Sequence, residues 1–255
     1  MILTAEQPPQ FLKLLAHEVR WQLIAALVLS DRRVQELAEL LQRPQNLISY
    51  HLRLLREGQV VGVRRSSADA RDTYYSLELE QVRTLYMESG AAIHPALAVA
   101  SDVAVGGVGE GEKRPFRIIF LCTHNSARSQ LAEGLMRAAG GDQVEVYSAG
   151  SQPSQVHPLA IAAAHTLGID ISQQESKHMD QFVGQAFDYV ITVCDRVRES
   201  CPAFPNDPQK IHWSFPDPAA VSGTEAKKRQ AFVQTARELA TRINYLHMMM
   251  SKHSL

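Results

Sequence analysis

Cysteine is scarce in this chain of 255 residues: there are three, and none occurs before residue 122. An odd, low count excludes the disulfide framework of a small secreted scaffold. Free thiols are most often small buried apolar fillers, so the neighbours of Cys122, Cys194 and Cys201 must decide their role. Long apolar runs are also missing. No stretch reaches the roughly 18 residues of a membrane-spanning helix. The N-terminal MILTAEQPPQF has no basic segment followed by an apolar core, so no secretory signal is expected and a cytoplasmic location is. Excess charge is lacking too: the net value is -1, with 45% hydrophobic and 21% charged residues. That composition is ordinary for a globular protein and points to no partner until the charge is resolved along the chain. The length favours two small domains over one large one.

Residues 98–114, AVASDVAVGGVGEGEKR, combine four glycines, small residues and charges without a helical or strand period. They read as a flexible linker between a domain at 1–97 and another at 115–255. No internal repeat crosses it.

The first half begins with helical spacing. Phe11, Leu14 and Leu15, then Val19, Leu23, Ile24 and Leu27, follow the i, i+3, i+4 pattern of amphipathic helices. Ser30-Asp31 is expected to cap a short helix over Val34–Leu41. Pro44 then opens a helix that runs to Glu57, with Gly58 at its end. Two short strands, Val60–Val63 and Thr73–Leu77, bracket the polar stretch 64–72 as a hairpin, and a last helix covers about residues 78–90. On the helix from Pro44, Ile48, Leu52 and Leu55 share one face and turn Gln45, Asn46, Ser49, Tyr50 and Arg53 toward the other. Such side chains suit base edges and phosphates in a major groove. From Arg43 to Arg71 six arginines face two acids, a local +4, whereas residues 1–97 balance at 11 basic and 11 acidic. Charge gathered on the helix and hairpin, including Arg64 and Arg65, is what phosphate contact requires. The plainer alternative is a solvated charged face on a helical interaction or dimerisation module.

This order of elements is that of a mostly α winged helix-turn-helix. LKLLAHEVRWQLIAAL, VQELAELLQRPQNLISYHLRLLREGQVV and TYYSL resemble the ArsR/SmtB family of metalloregulatory repressors over about residues 8–90. The resemblance implies a homodimer, formed through its first and last helices, on palindromic operator DNA. Members that sense arsenite commonly carry a Cys-x-Cys pair before the recognition helix. Here the stretch from Ser30 to Leu40 has Arg32-Arg33 and no cysteine. Glu80, Glu88 and His94 are the only candidates for a metal cluster in the last helix, and no metal site is expected.

In the second half, Arg117–Cys122 is a short apolar run like a buried parallel strand. CTHNSAR (Cys122–Arg128) follows, and Ser129–Arg137 has helical periodicity. A tight loop between strand and helix aims backbone N–H groups and the positive helix end at one point, which favours an oxyanion there. Thr123, His124, Asn125, Ser126, Ala127, Arg128 and Ser129 are therefore the expected substrate-binding residues, with Asn125, Ser126 and Ser129 bracing the loop. The same field is expected to lower the Cys122 thiol and make it a nucleophile, with Arg128 holding the anion in bidentate fashion. A strand at Val144–Ala149, a helix at Pro158–Leu167, strands at Tyr189–Cys194 and Ile211–Phe215, and a final helix at Glu225–Leu246 complete an α/β doubly wound, four-stranded parallel sheet. Cys194 is expected at a strand end and Cys201 beyond a polar, mobile Asp195–Ser200 segment. His124 reads as filler. His247–Met250 with His253 reads as a frayed helix end rather than a soft-metal site.

CTHNSARSQLAEG, YSAG, ITVCD, Cys201-Pro202 and HWSFPDP resemble the low-molecular-weight protein-tyrosine phosphatase fold, and more closely its thioredoxin-coupled arsenate reductase branch, over about residues 116–246. Phosphatase and reductase share the loop and the general acid, Asp217. The branch places its second and third redox cysteines at Cys194 and Cys201. The resemblance implies that Cys122 attacks arsenate and Asp217 protonates the departing oxygen. Cys194 then displaces arsenite as a Cys122–Cys194 disulfide forms, and Cys201 passes the oxidation on to thioredoxin or a similar reductant. No bound cofactor is implied. Some reductases of the branch hold potassium through residues matching Asn125, Glu133, Ser148 and an aspartate. The aspartate position falls on Lys177, whose ammonium could pair with Glu133 or be an ordinary surface group. The expected whole is an arsenate reductase fused to a transcriptional regulator in arsenic resistance. A phosphatase tethered to a DNA-binding domain, and a thiol-based redox or arsenic sensor without turnover, stay open.

Overall fold

The computed structural model describes residues 7–94, 114–199 and 201–252, which fall into two compact units. In the first, α1 (Gln10–Leu15), α2 (Glu18–Leu27), α3 (Val34–Leu41), α4 (Gln45–Glu57) and α5 (Leu79–Ile93) surround a small sheet. Its strands β1 (Arg32–Arg33), β2 (Val61–Arg65) and β3 (Thr73–Leu77) are antiparallel in the order β1-β3-β2.

The apolar positions read from the sequence form the core of this unit. Leu23, Leu37, Ile48, Leu52 and Leu55 are fully buried, with Val82 and Leu85 of α5 packed against them. Each such side chain contributes about 1.5–3 kcal/mol by leaving water. Pro44 is the N-cap of α4 with φ -57°, so the helix expected to open there does so. Gln42 ends α3 in the left-handed region at φ 51°, which reverses the chain within three residues.

Ser30 and Asp31 do not cap α3. They are buried, and the short strand β1 intervenes, so that Arg33 takes the capping position and its N–H donates to Glu36 Oε2 at 2.7 Å. A two-residue strand leaves no alternation in sequence, which is why it was not foreseen.

The second unit is a parallel sheet in the order β5-β4-β6-β7: β4 (Phe116–Cys122), β5 (Val144–Gly150), β6 (Tyr189–Thr192) and β7 (Gln209–His212). It is flanked by α6 (Arg128–Gly140), α7 (Pro158–His165), α8 (Asp195–Glu199) and α9 (Glu225–Lys252). Ile118–Leu121 of the central β4 are fully buried, as expected of a strand covered on both faces.

Three expectations need correction. Cys194 lies two residues beyond β6 rather than within it, and the segment after it is not a loop but the helix α8, with Asp195 and Val197 buried. The last helix does not fray after Leu246; it continues to Lys252, and Met250 is buried. His253 and all of the expected linker except Arg114 lie outside the described residues. Arg114 itself is held by Asp188, with its two terminal nitrogens at 2.8 and 2.6 Å from the carboxylate.

Candidate active site

Chain geometry sets the site at the carboxyl end of β4. Parallel pairing aligns Cys122 with Gly150 of β5, so the strand that carries the expected nucleophile runs beside YSAG. Gly150 has a steric purpose. A Cβ there would lie 2.6 Å from the Thr123 carbonyl oxygen and 2.8 Å from the Asn125 nitrogen, so only glycine lets the loop fold back on the sheet.

Asn125 is the keystone of the loop. It is fully buried and left-handed at φ 45°, a conformation asparagine tolerates better than most residues. Its Nδ2 donates to Ser129 Oγ at 2.9 Å and Ser148 Oγ at 2.8 Å, while its Oδ1 accepts from the Lys177 N–H at 2.7 Å. Gln130 Nε2 and Ser176 Oγ both donate to its carbonyl, at 3.1 and 2.5 Å. Sequence reasoning missed Gln130 and Ser176. A buried glutamine just after the loop arginine is a usable signal in hindsight, whereas Ser176 reaches the loop only through tertiary folding. Of the expected braces, Asn125 and Ser129 act through their side chains, while Ser126 contributes its carbonyl, which accepts from the His157 N–H at 2.8 Å.

Cys122 is 2% exposed. Its sulfur receives the Asn125 N–H at 3.1 Å and lies 2.9 Å from Ser129 Oγ. The expectation of a lowered thiol is not met. Burial pushes Cys122 above the ordinary thiol value and the neighbouring Cys194 adds to this, while Arg128 and the Ser129 hydrogen bonds pull the other way without prevailing.

Arg128, also buried, donates from Nη1 to the Phe215 carbonyl at 2.9 Å, and its Nη2 lies 3.3 Å from Asp217 Oδ2. The guanidinium and the expected general acid thus meet at one place, and Asp217 is itself fixed by the Ala219 N–H at 3.1 Å. Thr123 is buried, and its hydroxyl lies 3.4 Å from Cys194 Sγ. Ala127 is buried, and His124 is exposed on the loop surface. Cys201 is partly buried, and burial raises its thiol against a smaller lowering by Lys210.

Behind the loop, Ser148 Oγ donates to Glu133 Oε2 at 2.5 Å, and Lys177 Nζ lies 3.6 Å from the same oxygen. The Lys177–Glu133 pair considered from sequence is therefore present, and Arg137 adds a second cation on the other carboxylate oxygen.

In the first unit, Gln45, Asn46, Ser49, Tyr50 and Arg53 all lie exposed on α4, opposite buried Ile48, Leu52 and Leu55. Arg53 lies over the Tyr50 ring and 3.8 Å from Glu57. Arg65 is exposed at the end of β2, and Arg64 is partly so. Among the described residues no group of three or more His, Cys, Asp or Glu side chains is placed to hold a metal ion, and no helix is long and apolar enough to cross a membrane.

Known proteins resemble the second unit. The family model described as low molecular weight phosphotyrosine protein phosphatase matches residues 117–254. The arsenate reductase of Halalkalibacterium halodurans is 44% identical over 126 residues, 49% of this chain and 91% of that protein. The arsenate reductase of Bacillus subtilis is 40% identical over the same length and coverage. Among solved structures, an arsenate reductase in its oxidized state aligns with 52% of this chain and 97% of its own, at 30% identity and a TM-score of 0.46. That of Archaeoglobus fulgidus aligns at 26% identity and a TM-score of 0.42, over 51% and 98% of the two chains. Through residues 117–254 this chain belongs to the low molecular weight phosphotyrosine protein phosphatase family.

Proposed function

We propose that this chain is an arsenate reductase working through a relay of three cysteines, carried on the same polypeptide as a DNA-binding regulator of the ArsR/SmtB type. The carrying observation is the position of Cys194. It is buried beside the catalytic loop with its sulfur 3.4 Å from the Thr123 hydroxyl, next in sequence to the nucleophile. Cys201 lies seven residues further on, across α8. A phosphatase needs the loop, Arg128 and Asp217 but has no use for this second thiol, whereas a two-electron reduction requires one. The relatives named arsenate reductase support the same reading.

The chemistry follows from the residues present. Loop N–H groups and Arg128 bind the tetrahedral oxyanion and hold its charge in a site withdrawn from water. Cys122 attacks arsenic, and Asp217 delivers a proton to the oxygen that leaves as water. Cys194 then attacks the Cys122 sulfur; the S–S bond forms as the S–As bond breaks, and its electron pair stays on arsenic as arsenite. In sum, dihydrogen arsenate, one proton and two thiols give arsenous acid, water and one disulfide. Cys201 attacks Cys194 to pass the oxidation outward to a thioredoxin-like reductant. The test is arsenate-dependent oxidation of thioredoxin by the wild type, set against release of phosphate from an aryl phosphate. Aryl phosphate turnover without arsenate reduction would make the protein a phosphatase.

For the first unit, support comes from the exposed polar face of α4, from Arg64 and Arg65 on the hairpin, and from the order of elements, which is that of a winged helix-turn-helix. Tyr86 and Ile93 of α5, 66% and 70% exposed, suit a homodimer built on that helix. Gel shifts with the chain's own promoter DNA test this, and a protein that retards no specific fragment would reduce the unit to an interaction module.

A further inference from the structure

A second buried polar cluster lies beside Cys194, and the catalytic steps do not use it. Asp195, the residue after Cys194 and the first of α8, is fully buried. A carboxylate at such depth is costly unless charge and hydrogen bonds compensate it. Ser214 Oγ donates to Asp195 Oδ1 at 2.5 Å, and His212 Nε2 lies 3.2 Å from the same oxygen. The carboxylate can only accept, so the proton of this contact sits on His212 Nε2. The far nitrogen, Nδ1, lies 2.8 Å from Thr192 Oγ1. Thr192, His212 and Ser214 are all buried. The sheet makes this possible: parallel register sets Thr192 of β6 against His212 of β7, which turns the imidazole toward the chain leaving β6.

This cluster lies between the two parts of the reaction. Its one end is the residue bonded to Cys194. Its other end, His212 and Ser214, begins the segment that supplies the Phe215 carbonyl to Arg128 and carries Asp217. We infer that the buried Asp195–His212 pair, with Ser214, is a positioning device for the second cysteine, holding Cys194 where its sulfur can attack the Cys122–arsenic adduct. Asp195 acts by fixing the backbone from which Cys194 projects. Its effect should therefore fall on disulfide formation and not on oxyanion binding. The inference rests on the reductase reading, because a phosphatase has no step for Cys194 to perform.

The experiment is a single turnover of the full-length reduced protein with arsenate and no thioredoxin, stopped by alkylation, with the Cys122–Cys194 disulfide counted by mass spectrometry. Oxyanion binding is followed separately, as protection of Cys122 from iodoacetamide by inorganic phosphate. Asp195→Asn should slow disulfide formation at least tenfold and leave phosphate protection within twofold. His212→Gln, which keeps a donor near the Nε2 position, should recover most of the rate, whereas His212→Leu should match Asp195→Asn. Ser214→Ala is the milder variant should Asp195→Asn not fold, and a several-fold slowing is expected. An unchanged rate in Asp195→Asn or Ser214→Ala overturns the inference, as does equal loss of disulfide formation and phosphate protection in Asp195→Asn. A wild type that forms no disulfide with arsenate overturns the reductase reading itself, and this inference with it.

Discussion

In the first unit the deepest positions are Leu23, Leu37, Ile48, Leu52 and Leu55; in the second, Asn125, Ser129, Gln130, Ser148 and Asp195 are buried just as completely. The first unit packs an apolar core and turns the polar and cationic side chains of α4 and the hairpin outward, with few polar groups such as Asp31 and His51 buried. The second buries a larger set of polar groups and hydrogen-bonds them to one another around the Cys122 loop and beside Cys194. The contrast suits the two kinds of partner proposed for the units. A long polyanion is met by an exposed surface whose charges are screened by salt and need no fixed geometry. A small oxyanion undergoing chemistry needs donors fixed beforehand in a place that water does not fill.

The contrast can be broken at its most crowded point. Gly150→Ala forces a methyl group into the Thr123 and Asn125 backbone, which has little room to yield. Arsenate turnover should fall by at least about tenfold, with a loss of stability of about 1–3 kcal/mol for the overpacked site. Specific DNA retention in a gel shift should be unchanged; a Gly150→Ala enzyme of full activity would mean that the loop is not seated as described.

The complementary change on the exposed surface is Arg64→Ala with Arg65→Ala. Each removed phosphate contact should lower the slope of log affinity against log salt by about one. Turnover should stay the same. Titrating promoter DNA at several salt concentrations measures the slope, and an unaltered slope would contradict the proposed DNA surface.

A third prediction concerns protons. Burial and Cys194 hold the Cys122 thiol above the ordinary value near 8.5, against Arg128 and Ser129. A raised thiol gives less thiolate at neutral pH, so alkylation of Cys122 in the free enzyme should still be accelerating above pH 8.5. Ser129→Ala removes a lowering influence and should move the profile further up. A Cys122 alkylation rate already flat at pH 7 would contradict the balance of burial over Arg128.

The legibility of the chain in its own sequence followed the same division. Elements carried by periodic apolar residues were readable: α4 from Ile48, Leu52 and Leu55, and β4 from its unbroken apolar run. So was the loop, because a cysteine and an arginine six positions apart at a strand–helix junction have few other uses. What was not readable depended on contacts between distant segments. The support of Asn125 by Gln130, Ser176 and the Lys177 backbone, and the helix α8 in a stretch that reads as polar loop, arise only when β5, β6 and the segments after them come together. The direction of the Cys122 shift was misjudged for the same reason. Sequence displays the charge of Arg128 but not the depth at which the sulfur is buried.

The smallest expected effect is an absence. Lys177 Nζ lies 3.6 Å from Glu133 and supplies, with Arg137, the positive charge that this buried carboxylate needs. Added potassium should therefore leave turnover unchanged at constant ionic strength, and a marked activation would show that Lys177 does not fill a cation's place.

The central claim is that Cys194 and Cys201 serve a reduction begun by Cys122. Arsenite production coupled to thioredoxin, measured on the wild type and on Cys122→Ser, Cys194→Ser and Cys201→Ser, tests it most directly. The wild type should turn over, and each variant should lose catalytic turnover; Cys201→Ser alone should still make one equivalent of arsenite and stop as a Cys122–Cys194 disulfide. Sustained arsenite production by Cys194→Ser, or none by the wild type, would contradict the account.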